Sequence, residues 1–279
     1  MHELRQSYPV AVLLRVVKLA RSTFYAWDAA RKMPDKYAKT KELIKQIYEQ
    51  HQGRYGYRRI AFALHAHDIY LHPNTVRRLM VSLELKSTQR IKRYRAYKGN
   101  VGVVAPDCLQ RDFKAEAPNQ KWVTDVTEVK VGDEKGYLST VKDLCTREIV
   151  AYEQSSRPTM DMVMSMMKKA LARLRPGETP ILHSDQGWHY QMPDFRKLLS
   201  DQNIVQSMSR KGNCLDNAAM ETFFAVFKTE CFYKQKFDSM DVLRSTIDQY
   251  IQYYNTQRIS TVLGGLTPSQ YRIKHAQAG

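Results

Sequence analysis

The sequence predicts an α/β fold, a mixed sheet flanked by helices, preceded by a small all-α region. Three observations predict it. Apolar residues at helical spacing stripe the first 85 positions. From Gln120 onward, Val- and Thr-rich runs with strand character alternate with long helical stretches. The charge is also uneven: of a net +16 over 279 residues, residues 1–118 carry +13 and residues 119–279 only +3. Such an excess suits a polyanion, and nucleic acid is the commonest one. The front part reads as a grip, and the rest keeps its carboxylates for another task.

Residues 9–28 read as two short helices, with Val12, Val16 and Leu19 on one apolar face and Ser22 capping the second helix before Thr23–Trp27. So short a pair forms either a helix-turn-helix or a plain packing unit. Arg31–Gln50 reads as a solvated helix with Leu43, Ile44 and Ile47 as its buried edge. The string Arg54-Tyr55-Gly56-Tyr57-Arg58-Arg59 follows, and Tyr57, Ile60, Ala61 and Leu64 make a helical stripe. Pro73 suits the first turn of a further helix. There Val76, Leu79, Met80 and Leu83 face inward, and Thr75, Arg77, Arg78 and Ser82 face outward. A basic and hydroxyl face can lie in a DNA groove, or it can simply be solvated. Residues 86–118 read as a basic linker, with Lys86, Arg90, Lys92, Arg93, Arg95 and Lys98 uninterrupted by any acid and Tyr94 and Tyr97 among them. Its charge can track a phosphate backbone.

Beyond the linker, Trp122–Val131, Tyr137–Val141 and Glu148–Gln154 read as strands, with a turn at Asp143–Arg147. Thr159–Leu174 is a methionine-rich helix whose methionines belong to a core. Pro180–His183 is a short buried strand, Tyr190–Asp201 a helix, Ile204–Ser207 a strand and Asn217–Phe232 a long helix. This β-β-β-α-β-α-β-α order is that of an RNase H-like domain. A last helix, Ser239–Tyr254, places Leu243, Ile247, Tyr250 and Tyr254 on one side, to pack back on that domain. The expected division is therefore 1–85 helical and DNA-binding, 86–118 linker, 119–235 catalytic core and 236–279 helical tail.

Cys108, Cys145, Cys214 and Cys231 form no CxxC pair, and His65, His67 and His72 lack cysteine partners, so neither a disulfide framework nor a zinc finger is expected. No run approaches the ~18 apolar residues of a membrane span. Arg15 and Lys18 interrupt the apolar N-terminus, which does not read as a signal peptide. A cytoplasmic, nucleoid-associated location is the expectation.

Three acids stand out. Asp125 lies mid-strand on one face with Val123 and Thr127, where a charge is costly unless it is paired or bound to metal. Asp185 follows the strand end Ile181-Leu182-His183-Ser184, and ligands of α/β sheets gather outside strand ends. Glu221 shares a helix face with Asn217 and Lys228, four residues before it and seven after it. Carboxylates suit Mg²⁺, which prefers oxygen ligands, and a pair of ions can activate an attacking oxygen and stabilise a leaving one at phosphorus. Singly, Asp185 could merely cap a turn and Glu221 merely pair with Lys228.

Thirty-five residues separate Asp185 from Glu221. With that spacing, Trp122-Val123-Thr124-Asp125, His183-Ser184-Asp185-Gln186-Gly187, the string from Ser209 to Ala218, Lys228, Tyr253-Tyr254-Asn255-Thr256-Gln257-Arg258 and Leu266-Thr267-Pro268 resemble the second-frame (OrfB-type) DDE transposases of the bacterial insertion-sequence-three family, relatives of retroviral integrases. The resemblance covers nearly the whole chain. It departs at Ser260-Thr261, where many relatives carry His after the Arg-Ile pair. It implies an integrase-type RNase H-like core and two Mg²⁺ ions, with Mn²⁺ able to substitute, held by Asp125, Asp185 and Glu221. Lys228 would touch phosphate near the cleaved end, and Asn217 would orient either Glu221 or the DNA. Further DNA contacts are expected from Arg58, Arg59, Arg77, Arg78, Lys92, Arg93, Arg95 and Arg258. The implied partners are double-stranded DNA, at least one further copy of the chain, and a first-frame protein that frameshifting can fuse to it. No sustained heptads open the chain, so it reads as the catalytic part without that leader.

The implied reaction is two phosphoryl transfers at one site. Water cleaves an element end and frees a 3′-OH, and that hydroxyl then attacks a second phosphodiester, often near the other end. Two other readings stay open, a catalytically silent DNA-binding protein and a nuclease that only hydrolyses.

Overall fold

Runs of buried residues along the strands, which are covered on both faces, build the centre of the molecule. The computed structural model describes residues 6–87, 103–210 and 214–278. Five strands, β1 (Lys121–Val131), β2 (Glu134–Asp143), β3 (Ile149–Ser155), β4 (Ile181–Ser184) and β5 (Val205–Met208), form one sheet in the order β3-β2-β1-β4-β5. The first three strands pair antiparallel, and β4 and β5 run parallel to β1. Gly132, at φ +57°, takes the left-handed backbone that the two-residue reversal between β1 and β2 needs.

Both sheet faces are covered. Val123, Val129 and Leu138 pack under α9 (Ala218–Phe227) and α10 (Met240–Thr256). Trp122, Val141 and Leu182 pack under α6 (Met160–Leu171) and α8 (Pro193–Ser200). Met162, Met166 and Met167 of α6 are buried in that core. Two expected helices are broken by proline, which removes a donor and clashes with the preceding turn. Pro193 divides the expected helix 190–201 into α7 (Trp188–Gln191) and α8. Pro34 stands between α2 (Arg21–Lys32) and α3 (Ala38–Gln50), so the expected helix 31–50 begins at 38. An unexpected helix, α11 (Pro268–Ala278), closes the chain.

In the front region α3, α4 (Tyr57–His65) and α5 (Pro73–Ser82) enclose a core of Ile44, Ile47, Ile60, Leu64, Val76 and Leu79. The first two helices are α1 (Val10–Val16) and α2. The expected apolar face of α1 is reversed there: Leu14 is buried, whereas Val12 and Val16 are 50% and 76% exposed. Ser22 lies inside α2, which starts from Ala20 without a side-chain cap.

A buried network joins the front helices to the rear ones. After α9 the chain widens into a π-helical turn, Lys228–Phe232, which turns Glu230 inward. Glu230 accepts from Arg258 at 2.7 and 2.8 Å, from the Tyr250 hydroxyl at 3.1 Å and from Arg59 at 3.4 Å. Arg54 donates to the Glu230 carbonyl at 3.2 Å. The Tyr55 hydroxyl donates to the Gln257 carbonyl and accepts from the Ile259 N–H, each at 2.9 Å. His51 stacks on Tyr55 and hydrogen-bonds Tyr253. Burial, then Arg54 and Arg59, pull His51 down to about 4, so its ring is neutral at pH 7.

Burial alone would raise the Glu230 carboxyl, but the Arg258 hydrogen bonds and the charges of Arg258 and Arg59 outweigh it and leave it below its ordinary 4.5. A depressed folded value contributes stability above the unfolded value and loses it as pH falls through the folded one. Glu230→Gln strands the buried Arg258 and should lower the unfolding free energy at pH 7 by about 3–5 kcal/mol. Urea denaturation at a series of pH values should show the gap to the parent narrowing below the ordinary glutamate value. A gap that widens in acid would refute this account.

Candidate active site

Strand register brings two of the three acids together. β1 and β4 pair in parallel with Thr124 beside Ser184, so the next residues, Asp125 within β1 and Asp185 just past the end of β4, follow side by side. Both are half-buried and project on the sheet face covered by α9. Burial holds the Asp125 carboxyl well above the usual carboxylate range, and the Asp185 charge pushes it further. The Val126 N–H, donating to Asp125 at 2.7 Å, works against that rise. Burial also raises Asp185, and the Gly187 N–H at 2.9 Å and the neighbouring His189 work against it.

Glu221 lies in the first turn of α9, exposed, and near enough that its charge raises Asp125. Lys228, at the end of the same helix, acts on Asp125 in the opposite sense. Among the described residues, no three acidic, histidine or cysteine side chains stand close enough to hold a metal ion without moving. The pocket therefore presents a gathered pair and a third carboxylate farther out. Its donor set is hard oxygen, as a divalent cation such as Mg²⁺ prefers. Thr140, directly across from Asp125, and Asn217 each keep a buried side-chain oxygen without a hydrogen-bond partner. Two crowded carboxylates and unpartnered oxygens fit such a cation.

Family comparisons agree with this architecture. Residues 115–214 match one integrase core domain family, residues 221–275 a second, and residues 35–93 an HTH-like domain. The chain is 51% identical over 272 residues to the "Putative transposase InsK for insertion sequence element IS150" of Escherichia coli K12, covering 98% of this chain and 96% of that one. The chain belongs to the insertion-sequence transposases. It is also 30% identical to the transposase InsF for insertion sequence IS3A of the same organism, over 96% of this chain and 95% of that one. An intasome of simian T-cell lymphotropic virus, solved with a PP2A regulatory subunit, shares the fold at TM-score 0.50 and 17% identity, over 76% of this chain and 70% of that one. The transposase thus has an integrase core of RNase H-like fold behind a helix-turn-helix-like domain, and its family acts on DNA and depends on divalent metal. The helix-turn-helix match falls on α3–α5 and not on residues 9–28. Among the described residues no helix is long and apolar enough to cross a membrane.

The expected DNA contacts divide into three groups. Arg58, Arg77 and Arg78 are exposed on α4 and α5, and the guanidinium groups of Arg58 and Arg77 both lie over the Tyr57 ring, at 5.0 and 6.0 Å. Arg258 and Arg59 correct the expectation: Arg258 is 7% exposed, and both are engaged by Glu230 inside the protein. Asn217 is likewise buried, and its amide reaches the Thr124 carbonyl on β1 at 3.4 Å, so it serves the protein interior and not the DNA surface. Lys92, Arg93 and Arg95 lie outside the described residues.

Sequence reasoning passed over Asp216, which is buried and clamped by Arg210 at 2.9 and 3.0 Å and by Arg111 at 2.8 Å. These arginines hold its carboxyl far below the usual range and pin the chain just before α9. The same reasoning placed Gly187 in a motif string without giving it a role. A β-carbon there would stand 2.9 Å from the Asp185 Oδ1 and 3.3 Å from the Tyr190 ring. Gly187→Ala should displace the Asp185 carboxylate. Strand cleavage should fall roughly 100-fold, since misplacement by about an ångström costs that much. The thermal midpoint should hardly move, and measuring both on one preparation separates displacement from unfolding.

Proposed function

We propose that the transposase cuts and rejoins DNA strands in one pocket where Asp125, Asp185 and Glu221 hold two Mg²⁺ ions, with Mn²⁺ able to replace them. The single observation that supports this most is the Asp125–Asp185 pair on adjacent strands, each carboxyl raised by burial. Such a pair is electrostatically unfavourable until a cation joins it. Two ions bound there would activate the attacking oxygen and stabilise the leaving one during in-line displacement at phosphorus. The chain's own groups supply position. The Val126 and Gly187 N–H groups aim the two aspartates, and the exposed Glu221 turns in from α9 to complete the set. Lys228, on the same side, would take the phosphate next to the cleaved bond. Water attacks first and frees a 3′-OH, and that hydroxyl then attacks a second phosphodiester. Both nucleophiles come from outside the protein, so no protein–DNA covalent link forms.

The division of the chain into a helical DNA-binding region to residue 85, a basic linker, a catalytic core and a helical tail belongs to this reading. Arg58, Arg77 and Arg78 would contact element-end DNA, and Lys92, Arg93 and Arg95 would follow its backbone. Two ends must be held together, so at least a dimer assembles on DNA, joined in the element's own system by a first-frame protein. The site of action would be the bacterial cytoplasm, at the nucleoid.

A joining assay tests the chemistry. Full-length protein, Mg²⁺ and a pre-cut 3′-OH element end should give strand-transfer products, and Asp185→Asn should give none while retaining end binding. Cutting without joining would favour a hydrolysing nuclease, and binding without either would favour a silent DNA-binding protein. A second measurement tests the grip. Arg77→Ala should weaken binding to end and unrelated DNA alike if the group meets phosphate, lowering the slope of log K against log salt by about 1. Loss confined to the end sequence would instead mark base readout, and no loss would remove α5 from the interface.

A further inference from the structure

Lys142 is buried, and among the described residues it forms no ion pair. It lies on β2 opposite Val123, two cross-strand pairs along from Asp125–Thr140 and so on the same sheet face. Only 4% of its surface is exposed. Its ammonium donates to the Ala219 carbonyl at 3.3 Å and lies 5.7 Å from the centre of the Phe223 ring. The charged groups that act on it, Arg147 and Arg258, are both positive, and burial with those charges pulls it down to about 7. Burying such a group without an ion pair is unfavourable. Its hydrogen bond survives either protonation state, because the neutral amine donates as well.

The acceptor gives the arrangement its meaning. Ala219 belongs to the first turn of α9, the turn that carries Glu221. The same turn is tied to β1 by Asn217, whose amide reaches the carbonyl of Thr124, the residue before Asp125. The two ties come from adjacent strands, at the two cross-strand pairs that precede Asp125–Thr140 along β1. One tie alone would let the helix start pivot, whereas two fix its distance and rotation over the sheet.

We propose that Lys142 is a positioning residue, which anchors the first turn of α9 to β2 and so sets where Glu221 meets the Asp125–Asp185 pair. This inference rests on the reading of Glu221 as a metal ligand. Outer groups that orient metal ligands matter about 10–100-fold for affinity.

The test is direct Mn²⁺ binding to the full-length, DNA-free protein, followed by the loss of the free-ion electron paramagnetic resonance signal. Lys142→Met keeps the stem and removes the donor. It should weaken Mn²⁺ binding about tenfold, leave DNA binding unchanged, and keep or raise the melting midpoint. In a Glu221→Gln background the same change should have no further effect, since its route would already be cut. Should the Met variant not fold, Lys142→Gln, whose shorter amide falls short of Ala219, takes its place. Parental Mn²⁺ affinity in the Lys142 variant, or an equal loss with and without Glu221, would overturn the inference. Parental affinity in Glu221→Gln alone would instead overturn the ligand reading itself, so the two failures are distinguishable.

Discussion

Two carboxylates are brought together where the end of β4 meets the middle of β1, and much of the architecture can be understood as containing their repulsion. The parallel register of β1 and β4 ends at Thr124–Ser184, strands roughly 4.8 Å apart, and Asp125 and Asp185 are the next residues on each. Burial deepens the conflict by removing water that would screen it. The protein offsets it with short backbone donors, the N–H groups of Val126 and Gly187, and with the more distant charges of Lys228 and His189. A pair so held favours either a shared proton or an added cation, and only the second is useful at phosphorus.

Elsewhere the chain treats buried charge in the opposite way. Glu230 is as enclosed as the aspartates, yet it receives Arg258, Arg59 and the Tyr250 hydroxyl, and its carboxyl is depressed. Asp216 receives two arginines and is depressed further. These satisfied acids hold structure: one locks α3 and α4 against the rear helices, and the other pins the chain before α9. The contrast between satisfied and unsatisfied carboxylates separates framework from chemistry more sharply than burial does. Lys142 is the cationic counterpart, buried and unpaired close to the acid pair.

Local pattern made much of this legible. Alternation located the strands, and the stripe 57-60-61-64 identified the buried side of α4. Asp125 and Asp185 were recognisable because an acid amid Val and Thr, and an acid just past an apolar strand, each violate the local rule. Pro34 and Pro193 were visible punctuation that the longer helical pattern overrode. The start of α11 had its own signal in Thr267-Pro268 with Gln270, where the Thr267 hydroxyl accepts from the Gln270 N–H and the Gln270 amide oxygen accepts from the Thr267 N–H. The partners of Arg59, Arg111 and Arg258 carried no such signal. Arg111 meets Asp216 across 105 positions and Arg59 meets Glu230 across 171, and no periodicity encodes separations of that length.

Those internal partners also change what the charge asymmetry means. A net +13 in the first 118 residues suggests a broad basic surface. Yet Arg54 and Arg59 turn inward onto Glu230, Arg111 serves Asp216, and Lys121, just beyond, pairs with Asp112. Cations committed this way do not release counterions from DNA and add little to its affinity. The exposed cations of the front helices that remain include Arg58, Arg77 and Arg78 on α4 and α5, the first two over one tyrosine ring. The grip is therefore narrower than the composition implies. The network around Glu230 fixes that narrow grip relative to the rear helices, and α9 and α10 share one packed core with the strand that carries Asp125. The front helices are thus coupled through packed protein to the strand that carries Asp125.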